Sequence, residues 1–364
     1  MKVPKIIRPT LIVDKNKAVK NIQRMMLKIS QSPGRIRFRP HFKTHQSARI
    51  GEWFRELGIT AITVSSVDMA SYFAQNGWND ITIAILANPL EIESINQLAG
   101  TVDLNLLVDS AEMAGFLNLN LNQTVNVWIE IDTGDHRTGI EWDQKNEILS
   151  TTIEIKKLPK LRFKGLLTHS GHSYKVKSPA ELIGIYDDTV TKMDTIREYL
   201  NEKGIPGVEI SIGDTPTCSA VEQFYGINEV RCGNFVFYDL MQLALGTCKE
   251  EDIAVAVACP VIGCYPRRNQ IVIYGGAIHL SKESMTHENG EKIFGLAALP
   301  NLDSHGWGPT VKDTYLSNLT QEHGIIKTFA EFCRQVNVGD ILMILPVHSC
   351  LTANLMKDQF YIKG

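Results

Sequence analysis

The strongest constraint in this chain is a rhythm. From about residue 14 onward, short apolar runs alternate with longer stretches whose apolar residues recur at helical spacing. Eight of the runs read as strands: Arg35–Arg39, Ala61–Ser65, Ile81–Leu86, Leu104–Val108, Val125–Ile131, Phe163–Thr168, Glu209–Ile212 and Glu229–Arg231. Helical patterns fall between most of them; Asn16–Ile29 precedes the first strand and Ser178–Lys203 the seventh. Strands separated by helices pair in parallel, because a helical crossover returns the chain to the same end of the sheet. Eight such units over this length predict an α/β chain folded as a (β/α)8 TIM-type barrel, with a doubly wound open sheet as the alternative.

From Thr247 the texture changes. Ile253–Tyr265 and Gln270–Tyr274 read as strands joined by a turn at Pro266–Asn269. Further β-rich runs follow at Ile293–Ala298, Gly324–Phe329, Asp340–Leu345 and Gln359–Ile362. The predicted organisation is a barrel over 14–246 and a mostly β domain over 247–364. Residues 1–13 join the second domain through the apolar run Thr10–Val13.

Composition narrows the class. Of 364 residues, 44% are hydrophobic and 21% charged, which is ordinary for a globular chain. The net charge of −3 offers no electrostatic case for nucleic acid or an anionic membrane. The start, MKVPKIIRPTLIVDKNK, has no apolar leader core, and no apolar run is long enough to span a bilayer, so a cytoplasmic location is expected. The seven cysteines are odd in number and include no CxxC pair, which argues against a disulfide framework.

In a barrel, chemistry collects at the C-terminal ends of the strands. There the first strand leads into FRPHFKTHQS, with Lys43 between His41 and His45. A lysine in that place is either a solvated loop residue or an amine held for Schiff-base chemistry. Strand five leads to Asp132, His136 and Arg137 in IDTGDHRTG, and strand six to His169, His172 and Tyr174 in LLTHSGHSY. Strands seven and eight lead into GDTPT, Gly213 to Thr217, and CGNFVFYD, Cys232 to Asp239. Barrels often bind phosphate with these last two loops. Gly213 and Gly233 admit close backbone approach to an anion, Thr215, Thr217 and Asn234 add donors, and Tyr238 can reach the same group; two ordinary tight turns would carry the same glycines. A lysine after strand one and a phosphate cup after strands seven and eight fit one ligand, pyridoxal 5′-phosphate. Its aldehyde would attach to Lys43 and its phosphate would sit in the glycine loops.

A second pair lies in ILPVHSCLT, where His348 and Cys350 are two residues apart. If Ile341–Thr352 is extended, both side chains share a face. Imidazole with thiolate is a zinc-favouring set, but a catalytic zinc usually has three protein ligands. Water, substrate or a further residue must supply the remainder.

Taken together, these segments resemble the D-threonine aldolase and D-serine dehydratase family, fold-type III pyridoxal-phosphate enzymes with an alanine-racemase-like barrel. RPHFKTH resembles the cofactor-lysine motif, at Lys43. DTGDHRTG resembles the segment whose arginine lies near the cofactor ring, at Arg137. SGHSY resembles the segment of His172 and Tyr174. GDTPT and EVRCGNFVFYD resemble the phosphate-binding segments, PVHSC the metal site, and QEHG at Gln321–Gly324 a further family segment. Two positions depart: Cys232 stands where proline is common, and Ser170 where relatives carry a bulkier residue. The resemblance implies a homodimer and a lyase acting on D-β-hydroxy-α-amino acids. The His-x-Cys pair resembles the zinc-dependent D-serine dehydratases, which eliminate the β-hydroxyl and yield a keto acid and ammonia. The alternative is a D-threonine aldolase, which cleaves Cα–Cβ to glycine and an aldehyde with His172 as candidate base. Remoter alternatives are an amino-acid racemase and a non-catalytic cofactor carrier.

Overall fold

The computed structural model describes residues 5–287, 289–301 and 306–364. It forms two compact units. One comprises residues 23–43 and 47–233; the other comprises the described residues up to Ile22 together with 44–46 and 234–364.

The first unit is the predicted barrel. Its strands are Arg37–Phe38, Ala61–Val64, Asp80–Leu86, Asp103–Val108, Val125–Asp132, Leu161–Leu167, Glu209–Ile212 and Glu229–Val230. From the second onward each pairs in parallel with the next, and the first pairs with the last. A parallel bridge between His41 and Thr63 closes the ring. Apolar side chains fill the interior, with Leu107, Trp128 and Leu167 fully buried against one another. Charge inside the ring is paired rather than absent: Arg39 donates to Glu229 at 2.9 Å and also binds Asp80. Such pairs are tolerated in an interior only with both partners present. Helix Pro179–Glu202 starts where local chemistry dictates: Ser178 accepts the Glu181 N–H and Pro179 occupies the first turn.

The second unit is built on a largely antiparallel sheet. Strand Val255–Tyr265 pairs with Ile341–Pro346 and, beyond its middle, with Gln270–Tyr274. Gln270–Tyr274 continues through His323–Lys327, Gly306–Leu319 and Gly295–Asn301 back to Ile341–Pro346, so the sheet closes on itself. Strand Thr10–Asp14 pairs antiparallel with Val255–Ala258 and parallel with Phe360–Lys363.

Two features differ from expectation. Gly306–Leu319 is a long strand where none was predicted; Asp313 has φ +52° and the register with Gly295–Asn301 slips twice, so its alternation is broken. And Ile341–Thr352 is not one extended run. The strand ends at Pro346 and a helix begins at Ser349, with His348 as its N-cap. Among the described residues no helix is long and apolar enough to cross a membrane.

Candidate active site

Lys43 sits on a short 3-10 turn, Phe42–Thr44. The turn is anchored by Phe42, which is fully buried with its ring centroid 5.0 Å from each of Phe54, Phe73 and Trp78. Burying that ring turns the next side chain the other way, and Lys43 is exposed between buried neighbours. It lines a cavity of about 300 Å³ with His41, Ser65, Leu86, Glu130, Arg137, Thr138, His169, Gly213 and Arg231 in its wall. That is the lower end of the range for small-ligand sites.

The wall is strongly cationic, with Lys43, Arg137 and Arg231 facing a single carboxylate, Glu130. Arg231 is fully buried, donating to Ser211 Oγ at 2.7 Å and to the Thr168 carbonyl at 2.6 Å. Burial pulls its guanidinium down to about 10, against the pull of Glu229 and Glu130. His169 donates from Nδ1 to the Gly213 carbonyl at 2.8 Å, which fixes its tautomer and leaves Nε2 as the acceptor. Its environment lowers it to about 3, first by burial and then by the charges of Lys43, Arg137 and Arg231. The ring is therefore neutral at any working pH.

The strand-seven loop is tightly specified. A Cβ on Gly213 would lie 2.6 Å from that of Arg231, so this position tolerates glycine alone without moving the arginine. Asp214 caps the turn that follows, accepting the Thr217 N–H at 2.8 Å and its hydroxyl at 2.7 Å; the Thr217 side chain is thereby committed, and Thr215 beside it is buried. Ser173 donates to Asp214 at 2.9 Å and ties this loop to the turn Gly171–Lys175, which carries His172 and Tyr174. Those two lie outside the cavity wall; His172 Nδ1 is buried with no hydrogen-bond partner.

The strand-eight loop continues from Gly233 into the second unit. There Asn234 Nδ2 donates to Asp239 at 2.6 Å, to Ser349 Oγ at 3.1 Å and to Cys350 Sγ at 3.5 Å. Tyr238 is buried with φ +49°. Asp239 also accepts the Ser349 N–H at 2.9 Å, holding the start of the helix that carries Cys350. Thr44 Oγ1 lies 3.3 Å from Cys350 Sγ. Cys350 Sγ thus has both Asn234 Nδ2 and Thr44 Oγ1 as polar neighbours. Burial alone would lower the His348 imidazole, but its hydrogen bond to Cys350 and the charges of Cys350, Asp239 and Glu283 push it up to about 9. His348 and Cys350 therefore do meet, through a helix start rather than along a strand.

Imidazole and thiolate as a hydrogen-bonded pair suit a zinc ion in donor chemistry. No group of three or more His, Cys, Asp or Glu side chains with metal-binding geometry occurs among the described residues. The cationic cavity and the glycine at Gly213 likewise suit an anionic cofactor. A larger cavity, about 830 Å³, lies in the β unit, but its wall is chiefly apolar, with Ile12, Phe332 and Met343, and brings no reactive constellation together.

Sequence reasoning assigned no role to Glu130, His169 or Arg231. The signal available was their place at or near the ends of otherwise apolar strands.

A parallel barrel with a lysine after its first strand, followed by a β domain, defines a class: pyridoxal-phosphate enzymes of the alanine-racemase-like fold. The alanine racemase N-terminal domain model matches residues 13–240 and a serine dehydratase domain model matches residues 254–362; the chain belongs to this family. The D-threo-3-hydroxyaspartate dehydratase of Delftia sp. strain HT23 is 30% identical over 353 residues, covering 94% of this chain and 91% of its own. Its solved structure aligns with a TM-score of 0.88 over 96% of this chain and 93% of that one, at 29% identity, and a cysteine-to-alanine variant of it is described in a metal-free form. The D-serine dehydratase of Dictyostelium discoideum is 28% identical over 354 residues, covering 90% of this chain and 87% of its own. The D-threonine aldolase of Filomicrobium marinum, at 20% identity, shares the fold with a TM-score of 0.80 over 96% of this chain and 91% of its own.

Proposed function

We propose that this protein is a pyridoxal-phosphate- and divalent-metal-dependent lyase of the D-serine dehydratase type, converting a D-β-hydroxy-α-amino acid to a keto acid and ammonia. The observation that carries the reading is the presence, in one chain, of a lysine-bearing cationic cavity and an imidazole–thiol pair. The reading also assigns cofactor binding to a barrel domain over 14–246 and the metal to a β domain over 247–364. It takes the working form as a cytoplasmic homodimer.

Lys43 supplies the amine that holds the cofactor. Arg137, Tyr174 and the loops of Gly213, Thr215, Gly233, Asn234 and Tyr238 bind the rest of it. Pyridoxal phosphate supplies an electron sink for the electrons left at Cα. Lys43 Nζ would also be the group placed to accept the Cα proton. His348 and Cys350 hold the metal, which supplies Lewis acidity toward the β-hydroxyl. The thiolate favours zinc over the harder ions. A racemase has no use for that pair, and in an aldolase reading His172 would remove the hydroxyl proton instead.

Incubating the purified holoenzyme with D-serine and with D-threonine decides among these. Keto acid with ammonia is expected, with the L-isomers turned over about a thousandfold less efficiently, since a misplaced reacting bond costs several kcal/mol. Glycine with an aldehyde as product establishes the aldolase instead, and a preference for L overturns both.

A further inference from the structure

Glu130 is the anomaly of the barrel interior. It lies near the end of strand Val125–Asp132, where every residue is buried. The other polar residues of that strand are satisfied. Asn126 donates to Asp103 at 2.7 Å, and Asp132 accepts the backbone N–H groups of Gly134, Asp135 and His136. Glu130 Oε2 is enclosed and has no hydrogen-bond partner. Leaving such an atom unpaired carries the desolvation cost of the group, larger when it is charged. A carboxylate retained at that cost, in the wall of a ligand cavity, answers to something else in the cavity.

What it faces is cationic. Glu130 Oε1 lies 3.8 Å from the Arg137 guanidinium, and it is the one carboxylate in a wall that also holds Lys43 and Arg231. Arg137 needs such an anchor, because its side chain is 55% exposed on a loop. That loop is itself fixed: Asp132 gathers its amides, Ile140 pairs back onto Ile131, and Gly139 at φ +101° would place a Cβ 2.9 Å from the Glu130 carbonyl. The fold thus delivers Arg137 to the cavity, where Glu130 is the carboxylate that faces it at 3.8 Å.

We propose that Glu130 is a positioning residue, holding the Arg137 guanidinium at the cavity and setting the charge felt at Lys43. The inference rests on the reading that Lys43 carries pyridoxal phosphate. The groups acting on Glu130 are Arg137, Arg231, Thr138 and Asp109. Burial raises its carboxyl above the usual range and Asp109 adds to that, while the Thr138 hydrogen bond and the two arginines oppose it.

The test is Glu130→Gln in the cofactor-loaded protein, read by the pH midpoint of the Lys43–cofactor absorbance. Removing the anion leaves Arg137 and Arg231 uncompensated beside a protonated nitrogen, so the midpoint falls, by about one pH unit. In an Arg137→Met background the same change should shift it less, because the two residues act as a unit. If Glu130→Gln does not fold, Glu130→Asp carries the test: the shorter carboxylate retreats from Arg137 and gives a smaller fall. An unchanged midpoint in folded, loaded variants overturns the proposal. Borohydride reduction of the unmutated holoenzyme keeps the two failures apart, since absence of label on Lys43 defeats the cofactor reading instead.

Discussion

Both units of this protein enclose a histidine beside a reactive side chain, and the two imidazoles shift in opposite directions. His169, in the barrel cavity, is lowered to about 3, whereas His348, at a helix start in the β unit, is raised to about 9. Burial pulls both downward, so depth does not distinguish them. The neighbours do. His169 faces Lys43, Arg137 and Arg231, and its one hydrogen bond goes to a neutral carbonyl. His348 faces a thiol and the carboxylates of Asp239 and Glu283. The first surrounding suits a neutral ring among bound anions. The second suits a positive charge between two donors, which a proton or a metal ion can supply.

The largest effects should come from removing one reactive group from each region. Lys43→Ala is expected to lower lyase activity by about 10³-fold or more, because it deletes both the point of attachment and the Cα base. Borohydride labelling followed by peptide mapping should find the cofactor on Lys43 in the parent protein and nowhere in the variant. Metal content should not change. A label on another lysine breaks the comparison at its barrel end.

Next in size is the β-domain pair. Cys350→Ala or His348→Ala should lose the metal and about 10²-fold to 10³-fold in activity, the scale of losing one electrostatic stabiliser of a transition state. A chelator should act likewise on the parent protein, with activity returning on addition of zinc. In every case the cofactor absorbance should persist, since its ligands are separate. Full activity in both variants reduces the pair to a structural hydrogen bond.

The barrel end of this contrast was more legible in the sequence than the β end, for physical reasons. All eight barrel strands were readable because a parallel strand is a short apolar run whose helical flanks have a different period. Lys43, Arg137 and the glycine loops stood out because polar groups at strand ends have few structural uses. Glu130 was passed over because it sits inside a strand and Arg231 because it directly follows one, and only the closed ring reveals that both line a cavity. The condition that Ile341–Thr352 be extended fails beyond Pro346 for a long-range cause. The apolar run ILMILPV reads as a strand continuing into His348, but Asp239 captures the Ser349 amide from 110 residues away and starts a helix there. Local propensity has no access to that bond.

The smallest expected effect sharpens the contrast without touching catalysis. His169 in the folded, cofactor-free protein holds its proton only near pH 3, against 6.5 for an ordinary histidine. Above about 6.5 the ring is neutral in both folded and unfolded chains, so it adds no pH dependence there. As the pH falls from 6.5 toward 3 the unfolded chain takes up the proton and the folded one does not, so stability declines with falling pH. Undiminished linkage would amount to about 2 kcal/mol at pH 5, but the ring borders a cavity that water can enter, and about 1 kcal/mol is the expected share. His169→Asn keeps a donor for the Gly213 carbonyl and removes the titration. Denaturant unfolding of both cofactor-free proteins at pH 7 and pH 5 gives the comparison. The parent should lose about 1 kcal/mol more than the variant on acidification. Equal losses would mean that the cavity solvates the imidazolium, and that the contrast between the two histidines rests on the His348 side alone.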